Sequence, residues 1–215
     1  MKTSNDSGWK DASINAFKQQ YLLNLRELND PPAHWKFFLE ELNRMADGKT
    51  RVVDIGCGVG SLSKFIRMWH GNIPYVGYDY STAAIETAKK MWGDFGEFYE
   101  RDYKDICKTE MRPNDLIVAN ALCDVLPEGH ECMQHLLSLG AKNIIFLRVR
   151  LTERDSYFEE YEAYGEISTY AFYHNKSDVI NDIHSFGYGD MRYSIYSDNI
   201  VNVSAERGGN SVYIP

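Results

Sequence analysis

Asp54 precedes a loop in which three glycines fall within five positions, Gly56-Cys57-Gly58-Val59-Gly60. Glycine lets a backbone approach a ligand closely and takes φ values closed to other residues. An ordinary strand-to-helix turn needs one such residue, so three argue for a ligand site. A dinucleotide corner has the spacing G-x-G-x-x-G, which makes room for a pyrophosphate. Here the third glycine comes one position early, and Asp54 directs a negative charge at the loop. That combination disfavours pyrophosphate and suits a cationic ligand. No Gly-Lys-Ser/Thr follows, which excludes a P-loop. A second acid, Asp79, lies about 20 residues past the glycines, where a carboxylate holds a ribose diol.

The flanking patterns supply the elements that would position these acids. Residues 51–55 form a short apolar run, and 61–69 follow with Leu62, Phe65, Ile66 and Trp69 on one helical face. Strand, glycine loop and helix deliver a ligand to a helix N-terminus. A second strand over 74–79, a helix over 82–92 capped by Ser81, and a third strand over 97–101 come next, with a weak helix over 104–109. Strands over 115–119 and 143–149 flank a helix over 128–139. Alternating buried strands and helices imply a parallel sheet covered on both faces.

Ahead of this core, residues 1–12 are expected to be frayed, and helices are expected over 13–29 and from 35 to 45. Those helices either cap the cleft or pack on its outside. Residues 150–173 are acidic, rich in tyrosine and lack clean periodicity, and read as an insertion above the sheet. A helix over 177–186 precedes strands over 191–196, 200–205 and 211–214.

Val52-Val53-Asp54-Ile55-Gly56-Cys57-Gly58-Val59-Gly60 resembles the first motif of class I S-adenosylmethionine-dependent methyltransferases. The resemblance covers residues 35–150 by motif and the rest by pattern. It implies a Rossmann-like, doubly wound α/β sheet of seven strands, mostly parallel, with an antiparallel terminal hairpin and helices on both faces. It further implies one domain over 1–215, with a helical cap over 1–48, a cofactor-binding core over 49–149, a lid over 150–174 and a C-terminal helix and hairpin over 175–215.

By position, Asp54 matches the acid near the amino-acid end of S-adenosylmethionine, and Gly56, Cys57 and Gly58 match the loop along its methionine and ribose portions. Asp79 matches the ribose acid, Tyr80 the residue packed on adenine, and Asp102 and Tyr103 the pair that binds the adenine amine and a ring nitrogen. Asn120 falls where the methyl group meets the acceptor. The product would be S-adenosylhomocysteine.

The fourth-strand loop, Asn120-Ala121-Leu122-Cys123, departs from the Asp/Asn-Pro-Pro-Tyr of amino-methylating DNA enzymes. Arg148-Val149-Arg150 stands where metal-dependent catechol-type enzymes cluster acids, so no metal is expected. The loop is similar to that of small-molecule methyltransferases, where a histidine often occupies the position of Asp124. A hydroxyl acceptor usually needs a general base, and an amine near its own pKa needs none. Asp124 is one candidate base, with a capping acid as its plain alternative. His174 is the other, because imidazole suits proton abstraction at neutral pH, with an exposed loop histidine as its alternative. Tyr157, Tyr161, Tyr164, Tyr170 and Tyr173 form either an aromatic wall for the acceptor or the packing of the insertion. Tyr21 and Trp35 could close the site from the N-terminal side.

The expectation is methyl transfer to a small molecule, with a hydroxyl of a sugar or secondary metabolite preferred. A small-amine N-methyltransferase is the first alternative. A non-catalytic cofactor-binding regulator is the alternative from another class.

With 215 residues, 44% hydrophobic and 25% charged, the composition is that of a soluble globular protein. A net charge of −8 argues against a nucleic-acid partner. No run approaches the roughly 20 apolar residues of a membrane span, and the polar start lacks the apolar segment of a signal peptide. Cys57, Cys107, Cys123 and Cys132 show no paired or zinc-type spacing, which points to a reduced, cytoplasmic protein. The oligomeric state is left open.

Overall fold

The computed structural model describes residues 8–10, 12–164 and 167–208. Ser13 caps the first helix, α1 (Ile14–Asn29), by accepting from Ala16 N–H at 3.2 Å. Pro31 and Pro32 end it, and α2 (Ala33–Met45) begins directly after them. The core alternates β1 (Arg51–Ile55), α3 (Ser61–Trp69), β2 (Tyr75–Asp79), α4 (Thr82–Trp92), β3 (Glu97–Glu100), β4 (Asp115–Asn120), α5 (Gly129–Ser138) and β5 (Asn143–Thr152). The weak helix expected near Lys104 resolves into two short 3-10 turns, Tyr103–Asp105 and Lys108–Glu110.

Strands β3-β2-β1-β4-β5 run parallel in that spatial order. The order reverses between β1 and β4, which opens a crevice at their C-terminal ends. Arg51 on β1 pairs with buried Asp115 on β4 through Nε–Oδ1 at 2.9 Å, at the point where the two residues oppose each other in register. Alternate strand residues face opposite layers. Val53, Ile55, Ile117 and Phe146 pack with Met133 and Leu136 of α5, whereas Val52, Leu116, Val118 and Leu147 pack with Phe38, Leu42 and Phe65 of α2 and α3. Helices therefore cover both faces.

Among the described residues the sheet has nine strands, where the expected sheet had seven. The two additional strands come from the tyrosine-rich segment. It forms an antiparallel hairpin, β6 (Tyr157–Ala163) and β7 (Ile167–Asn175), rather than an irregular insertion. Its periodicity is hidden because β6 is an edge strand with both faces largely exposed, so apolar and polar residues need not alternate. β5 outruns β4, and β7 pairs with its end at Arg150–Thr152. The hairpin thereby stands over the loop that follows β4: Phe172 N–H donates to Asp124 O at 2.9 Å, and Thr169 Oγ1 donates to Val125 O at 3.2 Å.

Asn175 caps α6 (Lys176–Ser185), and β8 (Tyr188–Ser197) with β9 (Ile200–Arg207) closes the described fold as an antiparallel hairpin against β5. The strand expected over 211–214 lies outside the described residues. The expected fraying of residues 1–12 falls largely outside them too. At Gly8–Lys10 it does not hold. Gly8 N–H donates to Ser168 O at 2.8 Å, and Trp9 Nε1 donates to Thr169 Oγ1 at 3.0 Å, so this turn is tied to β7. Among the described residues, no helix is long and apolar enough to cross a membrane.

Candidate active site

The glycine loop turns sharply off β1. Gly56, Gly58 and Gly60 hold φ of 75°, 52° and 74°, values that strain any side chain-bearing residue. Their surroundings separate them. A Cβ on Gly56 would lie 2.9 Å from Leu122, and one on Gly58 would lie 3.0 Å from Gln20 Oε1, both across the crevice. A Cβ on Gly60 would meet the Phe98 ring at 2.5 Å, in the core. The first two glycines make room in the crevice, and the third lets α3 pack on β3.

Two acids flank this loop. Asp79 accepts from Gly58 N–H at 2.8 Å and from Ser81 N–H at 2.9 Å, one on each carboxylate oxygen. Burial still pushes its pKa up to about 6, against those two bonds, and the nearby Asp102 charge adds to the rise. Asp54 is 2% exposed. Its Oδ2 accepts from the Tyr75 hydroxyl at 2.5 Å, while its Oδ1 and the neighbouring Ser61 Oγ have no partner among the described residues. Burial drives Asp54 up to about 7, with the Asp79 charge contributing. A buried carboxylate with an unused oxygen beside a cavity is a receptor for a cationic donor. That cavity is lined by Gln20, Asn24, His34, Cys57 and Asn120, among others.

Beyond Asp79 a recess of about 110 Å³ is walled by Tyr80, Asp102, Tyr103, Leu122 and Leu126. Asp102 Oδ1 accepts from Lys104 N–H at 3.0 Å, which holds the short turn after β3. Lys104 bridges to Glu128 at 2.7 Å and closes the outer side. Tyr80, Tyr103, Leu122 and Leu126 supply its apolar lining, and Asp102 lines it as well.

A cleft of about 370 Å³ runs from Gly56, Gly58, Asp79 and Tyr80 past Asn120 to the hairpin. Asp124 enters it from the loop after β4, Arg148 and Arg150 from β5, and Tyr161 and Tyr164 from the hairpin. Trp9, Phe17 and Tyr196 complete the wall. Asp124 is 5% exposed. Its Oδ2 lies 3.4 Å from Arg150 Nε, and its Oδ1 is unpartnered among the described residues. Burial raises its pKa to about 6 against the pull of Arg148 and Arg150. Arg148 sits at φ 62°, where the pairing of β5 with β9 is interrupted between Phe146 and Val149. A bulge of this kind re-aims a side chain, and a left-handed non-glycine residue costs on the order of 1–3 kcal/mol. Asn202 holds the bulge by accepting from Arg148 N–H at 3.0 Å, and Arg148 Nε donates to Asn120 Oδ1 at 3.0 Å.

The two candidate bases are thus separated. Asp124 faces the cleft. His174 lies on β7 rather than in a loop and is fully buried, with Nε2 3.3 Å from Cys123 O and its ring 4.7 Å from that of Phe172. Burial pushes it down to about 4. It braces the back of the 121–127 loop and does not line the cleft, so it is not placed to act as a base there. Of the five tyrosines, Tyr161 and Tyr164 line the cleft, whereas Tyr157 and Tyr173 stack on each other with ring centroids 4.7 Å apart. Trp35 borders the cavity beside Asp54, and Tyr21 packs on Trp92. Cys123 and Cys132, unrelated by spacing, meet in the core with sulfurs 3.8 Å apart.

Trp9, Phe17, Gln20, Tyr196 and the cleft-facing role of the two arginines were not read from the sequence. Only Arg148 and Arg150 left a signal: they end a strand whose C-terminal edge is the functional one.

A family model described as a methyltransferase domain matches residues 46–195. No curated protein matches the chain. Among solved structures, magnesium protoporphyrin IX methyltransferase from Synechocystis PCC 6803 with bound SAM is 18% identical, with a TM-score of 0.59 over 93% of this chain and 88% of that one. DesVI from Streptomyces venezuelae is 10% identical, with a TM-score of 0.62 over 91% and 99%. The N-terminal domain of EvdMO1 with SAH bound is 11% identical, with a TM-score of 0.59 over 79% of each chain. The family match spans well over half of the sequence and takes in the glycine loop, all three acids and Asn120, and the chain belongs to the methyltransferase-domain family as a class I S-adenosylmethionine-dependent enzyme.

Proposed function

We propose that this enzyme methylates a hydroxyl oxygen of a small molecule held between Asn120, Asp124 and the β6–β7 hairpin. Bound S-adenosylmethionine supplies a methyl group on a positively charged sulfur and departs as the neutral thioether. The residues present suit it. The free Oδ1 of Asp54 and the Ser61 hydroxyl would take its ammonium group, Gly56, Cys57 and Gly58 would lie along it, and Asp79 would accept both ribose hydroxyls. Tyr80, Asp102 and Tyr103 would enclose the adenine. Asn120, at the junction of the two cavities, would border the reacting centre.

The observation that carries the hydroxyl reading is the unpartnered Oδ1 of buried Asp124. With a pKa near 6 it is ionised at neutral pH and still basic enough to take a hydroxyl proton as the oxygen–carbon bond forms. Arg150 Nε lies 3.4 Å from the other oxygen as an ion pair, which leaves Oδ1 as the oxygen available to a hydroxyl. An amine attacking as the free base needs no proton removed before attack, and an ammonium would face two guanidiniums. We further infer a cytoplasmic setting from the unpaired cysteines and acidic balance.

Incubation with methyl-labelled S-adenosylmethionine and a metabolite extract tests the reading. The expected result is a labelled small-molecule ether whose formation fails in Asp124→Asn. Labelled N-methyl products, or no product despite S-adenosylhomocysteine binding, would refute it.

A further inference from the structure

The chain carries a net charge of −8, yet one strand end brings two guanidiniums to the cleft, where Asp124 lies on their side and Asp79 on the cofactor side. Arg148 also borders the cavity beside Asp54. Arg150 is engaged with Asp124. Arg148 is not: among the described residues its side chain is held by the neutral amide of Asn120, with Asp124 and Glu27 acting on it only at longer range. A bulged, left-handed backbone keeps it there, although a regular strand would leave position 148 unstrained. Strain maintained at a site is a pointer to use. Guanidinium groups with free N–H donors in a partly enclosed cleft match a planar or tetrahedral anion, by charge and by paired hydrogen bonds.

We propose, on the basis of the methyl-transfer reading above, that Arg148 and Arg150 form an anion subsite that selects acceptors bearing a carboxylate or phosphate group beside the hydroxyl to be methylated. The anion serves as an anchor, and the hydroxyl remains the nucleophile. A carboxylate gripped by a guanidinium has its lone pairs occupied, and the same carboxylate placed at Asp124 would meet a like charge. The positive sulfur of the bound cofactor adds to the preference for an anion in this cleft. Tyr161 and Tyr164 wall the end of the cleft away from Gly56, Gly58 and Asp79, where an aromatic or sugar ring would lie. The acceptor class that follows is a hydroxylated aromatic acid, a sugar acid or a sugar phosphate.

The test uses the whole enzyme with methyl-labelled S-adenosylmethionine and a metabolite extract, and separates labelled products by anion exchange at neutral pH before and after mild alkali and phosphatase. The expected product is retained as an anion and keeps its label through alkali. Loss of retention after phosphatase identifies the anchor as phosphate, and continued retention identifies it as carboxylate. Arg148→Gln should raise the acceptor KM by about tenfold or more, a magnitude typical of losing one charge-assisted bond. Arg148→Lys should recover part of that loss, and S-adenosylhomocysteine affinity should stay within about twofold in both, which also reports that the variants fold. A neutral or cationic product overturns the inference while leaving methyl transfer intact. Label released by alkali as methanol overturns it as well, because the carboxylate would then be the nucleophile. A tenfold loss of S-adenosylhomocysteine affinity in Arg148→Gln would assign this arginine to the cofactor's own carboxylate and overturn it too. Absence of any labelled product removes the methyl-transfer reading itself, and the anion subsite with it.

Discussion

Asp54, Asp79 and Asp102 all belong to one unbroken stretch of chain, from β1 to the turn after β3, and each stands at or just beyond the end of its strand. The opposite wall of the same crevice draws Trp9, Phe17, Asp124, Arg148, Tyr161 and Tyr196 from six separate segments. The cofactor half is built by a parallel sheet whose register carries each strand end to one edge, so a short motif specifies both residue and place. The proposed acceptor half is built by contacts between elements far apart in sequence, held by a few hydrogen bonds such as Trp9 to Thr169 and Thr169 to Val125. The first half suits a ligand that is the same throughout the family. The second can change by altering a loop or hairpin without disturbing the sheet.

The sharpest way to break this division is Asp124→Asn, which removes the free carboxylate oxygen and keeps the shape. Loss of a general base should lower kcat by about 10²–10⁴-fold with cofactor affinity unchanged, measured by steady-state kinetics alongside calorimetry. In the unaltered enzyme kcat/KM should rise with pH through about 6 and then level, since Asp124 must be ionised to act. A flat profile in that range would remove Asp124 from the chemistry.

The reciprocal change, Asp79→Ala, should act on the other half alone. On the proposed assignment it deletes two charge-assisted bonds to the ribose, each worth roughly 1.5–3 kcal/mol, and should weaken S-adenosylhomocysteine binding by about 10²-fold or more. Near-normal binding would show that the ribose lies elsewhere.

A subtler measure concerns protons. Burial raises Asp54 to about 7, so part of it is protonated at neutral pH in the free protein. An ammonium group bound there lowers that pKa, so cofactor binding should release a fraction of a proton and tighten as pH rises through about 7. Calorimetry in buffers of differing ionisation enthalpy reads this directly, and no buffer dependence would argue against an ammonium at Asp54. The same raised pKa has a sign for folding. The folded chain holds a proton that the unfolded chain has already lost, so stability of the free protein should fall between about pH 4 and pH 7, as buried Asp54, Asp79 and Asp124 ionise.

The smallest effect is expected from Trp9→Ala. It removes one hydrogen bond and part of the cleft wall, and should raise the acceptor KM a fewfold, consistent with about 1 kcal/mol, while leaving cofactor affinity alone. An equal loss of cofactor affinity would blur the boundary between the halves.

Three patterns were legible before any coordinates. The early third glycine and the preceding acid pointed to a cationic nucleotide, alternation of buried strands and helices implied the parallel core, and Ser81 marked a helix start. The hairpin was missed because β6 is exposed on both faces, which erases the period of two. His174 was misplaced because its segment was read as loop, although β7 largely alternates between buried and more exposed residues. Once its segment is a strand, it points into the core against Cys123 and Phe172. Arg148 and Arg150 were visible as residues but not as a site. Only the bulge opposite β9, held by Asn202 from 54 residues away, aims Arg148 at Asn120.

Local sequence therefore determined the donor half, because glycine conformation and strand-end position are set within a few residues of the motif. Tertiary structure alone decided the acceptor half. Which acid faces the cleft, which histidine does not, and why an acidic protein presents arginines there all depend on a β5 that outruns β4, on a hairpin docked at its end, and on a turn near the N-terminus tied to that hairpin.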